Sequence, residues 1–204
     1  MPDNDKHDAR STGLGLGGPQ PSASTSGTRG EAAQGPAPIE ASAGRCYEDF
    51  EVGAILRHPL GRTVSQTDNT WFTLLTANTN PIHFDTYYAA QTEFKRPLVN
   101  SCFTLALVVG LSVNDVSRNA VNLGWDEVRL PAPVFEGDTI YARTEVLSKR
   151  ESKSRPHQGL VEIKTIGYKQ DGTVVLTYRR TILVYKRGHA PRIPQPVIAT
   201  SASR

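Results

Sequence analysis

Residues 101–111 form the most apolar stretch of the chain, and their apolar side chains point to every side of a helix rather than to one face. The pattern predicts a helix over residues 100–117. At a rise of about 1.5 Å per residue, this helix would be roughly 27 Å long, which matches the length of a small sheet. A helix that is apolar all round must be buried all round. The rest of the chain must therefore wrap it, or a second copy must cover the part that stays open.

The later half of the chain predicts an antiparallel sheet of about four strands. The pair Asp171-Gly172 is a strong β-hairpin signal between two apolar segments, residues 166–168 and 174–176. We expect the last strand to run to about Tyr185. In the earlier strands, the side chains that alternate with polar or small neighbours are Val121, Leu123, Trp125, Ile140, Ala142, Val146, Val161 and Ile163. In the last strand, Leu176, Tyr178, Ile182 and Val184 can share one face, with Arg180 as the exception on that face.

The first half of the chain reads as a strand followed by helical segments. A strand is indicated over residues 55–64, and the polar residues 65–68 are suited to capping the helix that follows. Pro81 and Pro97 interrupt the helical pattern. The fold class is therefore α+β. A curved antiparallel sheet wrapped around one long central helix is the hot-dog fold, and a helix merely packed on a sheet is the alternative.

Composition limits the folded region and the classes of partner. Residues 1–43 are rich in Gly, Pro and Ser and contain no aromatic residue, so we predict a disordered N-terminal segment. Residues 189–204 predict a flexible C-terminal tail, which leaves residues 44–188 as the folded domain. With Lys+Arg 23 against Asp+Glu 20, and with no long apolar run, we expect no nucleic-acid partner and no membrane span. Cys46 and Cys102 lack metal-ligand spacing, and we interpret them as reduced thiols of a cytoplasmic protein that binds no metal.

One segment carries residues suited to chemistry. His83 follows the pair Asn80-Pro81, and because proline fixes its own φ and restricts the preceding residue, this turn can hold the imidazole in a set direction. Histidine is the most frequent general acid or base in enzymes. Asn78, Asn80 and Asp85 flank it in the sequence. A buried structural histidine is the alternative.

This segment resembles the signature of the MaoC-like dehydratases and R-specific enoyl-CoA hydratases, written G-D-x-N-P-(L/I/V)-H-x-(D/E). The resemblance extends to an opening segment at residues 44–53, to residues 96–101 before the central helix, and to residues 134–138 at a strand start. It implies a single hot-dog domain, an acyl-CoA thioester as substrate and a homodimer or higher oligomer. It also implies no metal and no redox cofactor, with coenzyme A present only as part of the substrate.

The chain departs from the signature at one catalytic position, where the family's Asp is Asn78. An amide cannot relay a proton, but it can orient a water or a thioester carbonyl. Three functions follow from this. The first is reversible hydration of an enoyl-CoA, in which His83 is the main acid and base. Its acyl group could be a branched dicarboxylic one such as mesaconyl. The second is another acyl-thioester reaction, such as hydrolysis by a thioesterase. The third is binding of an acyl thioester without catalysis.

Other candidate residues have weaker roles with structural alternatives. We expect Asn80 to shape the substrate site, and the backbone at Asn100 and Ser101 to donate to the thioester oxygen, although plain helix capping accounts for the same two residues. Asp85 is a weaker catalytic candidate, for which capping of a short helix is favoured. Lys149 and Arg150 belong to a basic cluster that could bind coenzyme A phosphates or lie in a solvated loop. Residues expected to lie at the surface are His58, His157 and His189. Trp71 and Trp125 are expected to be packing residues rather than platforms on which bases stack.

Overall fold

The computed structural model describes residues 44–192 and residue 194. The predicted disordered segment, residues 1–43, and residues 193 and 195–204 of the predicted tail lie outside the described residues. All the helices and strands given below lie within the domain predicted over residues 44–188.

Each α-helix in the described part of the chain begins at a polar side chain that accepts a backbone N–H, which satisfies one of the donors left free by helix geometry. Ser65 accepts from Asp68, Asp85 accepts from Tyr88, and Asn100 accepts from Cys102. The capping predicted for residues 65–68 and for Asp85 is therefore present. The helices are α1 (Gln66–Leu75), α2 (Thr86–Ala89) and α3 (Ser101–Ser112).

The strands form one antiparallel sheet. The order of pairing is β1-β4-β5-β6-β3, and β2 pairs with β4 beyond the end of β1. The turn at Asp171-Gly172 joins β5 to β6 as predicted, with Gly172 at a φ of +86°, the left-handed region that favours glycine. The predicted first strand is divided in two. The strands are β1 (Ile55–Arg57), β2 (Arg62–Thr63), β3 (Ala120–Arg129), β4 (Thr139–Glu151), β5 (Gln158–Lys169) and β6 (Val174–Tyr185).

Helix α3 lies across the inner face of this sheet, as expected for a central helix. Its side chains at Thr104, Val108 and Ser112 are buried, and a Cβ atom added at Gly167 of β5 would lie 2.6 Å from Val108 Cγ2. Glycine at this position therefore allows the helix to approach the sheet closely. The α-helix is shorter than predicted, because it ends at Ser112 and continues as one π-helical turn, Val113–Ser117.

The expectation that α3 is buried on every side is wrong within one chain. Cys102, Ala106, Gly110 and Val113 are exposed along the side of the helix that faces away from the sheet. At the sheet edge, β3 pairs only with β6 among the described strands. One flank of the helix and one edge of the sheet therefore remain uncovered.

Several predicted positions are corrected by the structure. His58 is buried rather than at the surface, with Nδ1 2.8 Å from Asp115 Oδ2 and Nε2 2.9 Å from Thr144 Oγ1. Arg180 does not break the buried face of β6 but lies on it, 2% exposed. Trp71 and Trp125 are not core residues, since they are 67% and 44% exposed. The alternation in a sequence shows neither which polar side chains are buried nor which aromatic side chains stay exposed.

The cap of α1 makes stability depend on pH. Two hydrogen bonds from Arg62, at 2.7 and 3.0 Å, and further bonds from Ser65 lower the pKa of Asp68 to about 2. Because this value lies below the unfolded pKa of about 3.9, the ionised carboxylate stabilises the fold at neutral pH, and this contribution is lost as the pH falls through about 2. We expect Asp68→Asn to lower the free energy of unfolding by about 1 kcal/mol at pH 7. Urea denaturation should show the difference shrinking towards pH 2. An equal difference at both pH values would contradict this origin, and Glu93→Gln, at an exposed carboxylate, is the control.

Candidate active site

The chain leaves α1 through a tight turn that both asparagines of the motif build. Ala77 has a φ of +55°, and the N–H of Asn78 donates to the Thr73 carbonyl at 3.0 Å. Asn78 Oδ1 then accepts the N–H of Asn80 at 3.0 Å. The side chain of Asn78 therefore fixes the entry to the turn, and none of the described residues accepts a hydrogen bond from its Nδ2.

Asn80 and Pro81 then begin a short 3₁₀ turn, Pro81–His83. Asn80 Oδ1 accepts the N–H of Ile82 at 3.2 Å, and proline at the first position needs no hydrogen-bond acceptor for its nitrogen. His83 is the last residue of the turn. The rigid turn predicted from Asn80-Pro81 is thus present, and the role of Asn80 in it is to shape the backbone.

The His83 ring is held in one orientation and one tautomer. The residue is 8% exposed, and its Nδ1 lies 2.8 Å from the Leu98 carbonyl oxygen. Since a carbonyl can only accept, Nδ1 carries the proton. In the neutral ring, Nε2 is then the unprotonated nitrogen, and no side chain or backbone group of the described residues hydrogen-bonds to it. This arrangement leaves a basic nitrogen available to a ligand.

Asn69, which the sequence analysis did not select, connects the turn to the central helix. It is fully buried, and its Nδ2 donates to the carbonyls of His83, at 2.7 Å, and Leu98, at 3.0 Å. Its Oδ1 accepts the N–H of Asn100 at 2.9 Å. Gln66 donates to the same His83 carbonyl at 3.0 Å. An asparagine inside a helix, where it is intrinsically unfavourable, was the available signal.

At the start of α3, one of the two backbone N–H groups predicted as donors is already hydrogen-bonded. Asn100 caps the helix, with Oδ1 accepting from Cys102 and Nδ2 donating to Thr73 Oγ1, and its own N–H is taken by Asn69. The backbone N–H of Asn100 is therefore already used within the chain and is not free to donate to a thioester. Ser101, the first residue of the helix, has no intrahelical acceptor for its N–H and is exposed. Ser101 remains the candidate donor.

A cavity of about 240 Å³ opens beside this helix start. It contains Ser101 and also Leu98, whose carbonyl holds the His83 ring. The walls are mostly apolar, as expected for a pocket that receives an acyl or pantetheine chain. The residues that line it are Phe94, Leu98, Val99, Ser101, Thr104, Leu130, Pro131, Ala132, Pro133 and Val134. A second cavity, between Arg57 and Arg143 on the outer face of the sheet, contains none of the motif residues.

The weaker candidates do not join this site within one chain. Asp85 caps α2, with Oδ1 2.9 Å from the Tyr88 nitrogen. Lys149 and Arg150 belong to the end of β4 rather than to a loop, and Lys149 donates to the Phe50 carbonyl at 2.6 Å. Lys149 lies ten residues after Thr139, the first residue of β4, which corresponds to about 33 Å along an extended strand.

No group of three or more His, Cys, Asp or Glu in residues 44–192 is arranged to hold a metal ion. Within the same residues, no helix is long and apolar enough to cross a membrane. The chemical groups at the site are therefore an imidazole, amides and free backbone N–H donors.

Comparison with known proteins agrees with this geometry. Residues 39–192 match the family model described as mesaconyl-CoA hydratase. The chain is 34% identical over 161 residues to the mesaconyl-CoA hydratase of Cereibacter sphaeroides, covering 78% of this chain and 47% of that protein. The chain thus spans about half the length of the curated relatives of this kind.

Solved structures give the fold. The chain superimposes with a TM-score of 0.70 and 30% identity on a putative MaoC domain dehydratase from Chloroflexus aurantiacus, covering 78% of this chain and 46% of that one. A Mycobacterium tuberculosis protein described as having a double hot-dog fold matches with a TM-score of 0.67 and 21% identity, over 75% of this chain and 48% of that one. The predicted hot-dog fold is confirmed. From the family match over residues 39–192, the chain belongs to the mesaconyl-CoA hydratase family.

Proposed function

We propose that the chain catalyses the reversible addition of water to the double bond of an enoyl-CoA thioester. The observation that carries this proposal is the His83 ring. Its Nδ1–H is fixed on the Leu98 carbonyl at 2.8 Å, and no group of the described residues hydrogen-bonds to its Nε2. A neutral imidazole in this state accepts a proton and later returns it, which hydration requires.

In the hydration direction, the water oxygen bonds to the β-carbon of the enoyl group while His83 Nε2 takes a proton from that water. Electrons of the double bond move towards the thioester carbonyl, which gives an enolate-like oxygen. The imidazolium then returns a proton to the α-carbon, so that one molecule of water is added and His83 is restored. The Nδ1–H bond to Leu98 keeps the ring in place through both transfers.

We propose that two further groups support these steps. The N–H of Ser101, at the positive end of the α3 dipole, can donate to the thioester oxygen as it gains charge. The unused Nδ2 donors of Asn78 can orient the attacking water or the carbonyl, a role that an amide can fill without transferring a proton. The carboxylate that other members carry at this position is absent, so His83 carries both proton transfers.

The proposals for the acyl group and for the oligomeric state rest on the relatives and on the exposed edge and flank of the fold. The named relative acts on mesaconyl-CoA, a branched dicarboxylic thioester, and we propose this acyl class here. We propose that no metal or redox cofactor takes part and that the protein is cytoplasmic. The open β3 edge, the exposed flank of α3 and the double length of the relatives support a homodimer in which two copies provide the paired hot-dog units.

The reaction is tested by mixing the purified protein with crotonyl-CoA and with mesaconyl-CoA and following the absorbance of the conjugated enoyl group. We expect this absorbance to fall to an equilibrium value without release of free thiol. Thiol release would identify a thioesterase instead. Binding of either thioester with no change in absorbance and no thiol would identify a binding protein.

The amide at position 78 gives a separate prediction. Asn78→Asp keeps the oxygen that accepts the Asn80 N–H at 3.0 Å, so the turn should persist. The added carboxylate can take protons, and we expect crotonyl-CoA turnover to be unchanged or to rise by up to about 10-fold. Steady-state kinetics measure this, with Asn80→Asp as a control because aspartate caps a helix as well as asparagine does. Loss of activity in Asn78→Asp would mean that the amide itself is required.

A further inference from the structure

The largest fully buried side chain of the described residues is a cation without a partner. Arg180, in the middle of β6, is 2% exposed, and neither its Nε nor its Nη2 has a hydrogen-bond partner. Tyr178, two residues earlier on the same face, is also buried and its hydroxyl has no partner. Two strong donors therefore point into one interior region that the described chain leaves unsatisfied.

A buried guanidinium needs an anion. Burial without an opposite charge lowers the pKa of Arg180, and removing such a group from water is costly unless a counter-charge is supplied. None of the ion pairs formed by the described residues includes Arg180, and its neighbour Arg179 takes the nearby carboxylates of Glu127 and Glu162. No carboxylate of the described residues pairs with Arg180, so a counter-anion for it would be a ligand or a group outside the described residues.

Arg180 lies one strand in from the edge of the sheet, because β6 pairs with the edge strand β3. Its directly opposite residue on β3 is Trp125, which shares the inner face and is partly exposed. Along the helix, Val108 packs in the same cluster as Tyr178, and Val116 packs with Ile182. Arg180 thus lies at the level of the last turn of α3, next to the flank that the chain does not cover.

Within one chain this position is far from His83. The His83 ring lies at the beginning of α3, and the helix from Asn100 to Ser112 spans about 18 Å. A short acyl group held by His83 does not reach that far. A two-fold axis beside the β3 edge, however, would place the two α3 helices antiparallel, so that the end of one lies beside the beginning of the other.

We propose that Arg180 binds the free carboxylate of a dicarboxylic acyl thioester whose double bond is held by His83 of a second copy of the chain. The proposal deepens the function proposed above and rests on it. A guanidinium is suited to this task because its planar donors match both oxygens of a carboxylate. The hydroxyl of Tyr178 supplies a further donor on the same face. A crotonyl group, which has no free carboxylate, would leave Arg180 unpaired.

Binding measurements test the carboxylate without depending on turnover. In a His83→Asn background, which removes the base, calorimetry with mesaconyl-CoA and crotonyl-CoA should show a preference for mesaconyl-CoA. We expect Arg180→Met to reduce that preference by about 10- to 100-fold and Arg180→Lys to reduce it less. Arg179→Met, at the exposed neighbour, should leave it unchanged. Absence of the preference before mutation, or its survival in Arg180→Met, would overturn the proposal.

Stability separates this role from a structural one. Replacing a buried unpaired charge with an apolar side chain of similar length is often neutral or stabilising, so the melting temperature of Arg180→Met should be unchanged or higher. A lower melting temperature, with both thioesters bound equally weakly, would assign Arg180 to the fold instead.

Complementation tests whether the arginine acts across two copies. We expect His83→Ala and Arg180→Met, each with strongly reduced activity on mesaconyl-CoA when alone, to regain activity when co-expressed with different affinity tags and purified as the mixed pair. In that pair, one site combines His83 of one copy with Arg180 of the other. No recovery would overturn the arrangement across copies. If the preference for mesaconyl-CoA depends on Arg180 but no hydration occurs in the unmutated protein, the carboxylate site stands and the proposed reaction fails.

Discussion

Replacing His83 with asparagine is expected to reduce enoyl-CoA turnover by about 100- to 10,000-fold while leaving the fold intact. The asparagine Nδ2 can take the place of the ring Nδ1–H and donate to the Leu98 carbonyl, now held at 2.8 Å. The substitution removes only Nε2, the nitrogen that we propose moves the proton. Steady-state kinetics on crotonyl-CoA and mesaconyl-CoA, together with the melting temperature, measure both parts of this expectation.

A matched control is available at the other end of the sheet. His157 is exposed and its ring stacks on that of His189 with centroids 4.0 Å apart. His157→Asn should therefore leave turnover unchanged. If His83→Asn keeps most of the activity with a normal melting temperature, the imidazole is not the acid and base of the reaction.

The second large effect is expected at Asn69. Asn69→Ala removes the donors to the His83 and Leu98 carbonyls and leaves the Asn100 N–H buried without an acceptor. We expect the free energy of unfolding to fall by about 2–4 kcal/mol. Because Asn69 positions the catalytic turn without touching the substrate, kcat should fall by about 10- to 100-fold with little change in KM.

Gln66→Ala provides the graded comparison for Asn69. The substitution removes one hydrogen bond, at 3.0 Å, to the same His83 carbonyl. The side chain of Gln66 is only partly buried. The effects of Gln66→Ala on stability and on kcat should both be smaller than those of Asn69→Ala. Equal effects, or a rise in KM alone for Asn69→Ala, would contradict a positioning role.

The parts of this molecule that could be predicted from the sequence are those set by local rules. The caps at Ser65 and Asp85, the hairpin at Asp171-Gly172 and the turn at Asn80-Pro81 each depend on a few adjacent residues. The direction of the His83 ring was expected to be fixed. Its partner, the Leu98 carbonyl, lies fifteen residues away and could not be identified from spacing.

The parts that could not be predicted depend on long-range partners. Asn69 reaches a carbonyl 29 residues away, and His58 reaches Thr144, 86 residues away. The only signal for Asn69 was its position inside a helix, and neither partner could be identified from spacing. Arg180 was named as the exception on the apolar face of the last strand, and alternation alone could not show that it is buried there. The exposed flank of α3 could not be predicted either. The apolar character of a helix predicts that it is buried, but not whether the same chain or a second molecule covers it.

The most direct test of the central claim is to follow the fate of one water molecule. The protein is incubated with mesaconyl-CoA in water enriched in oxygen-18, and the acyl-CoA product is analysed by mass spectrometry. We predict a product heavier by one labelled water, with the label in the acyl group and coenzyme A still attached, and none of this product with His83→Asn. Label in a released free acid, or equal labelled hydration product with His83→Asn, would contradict the account.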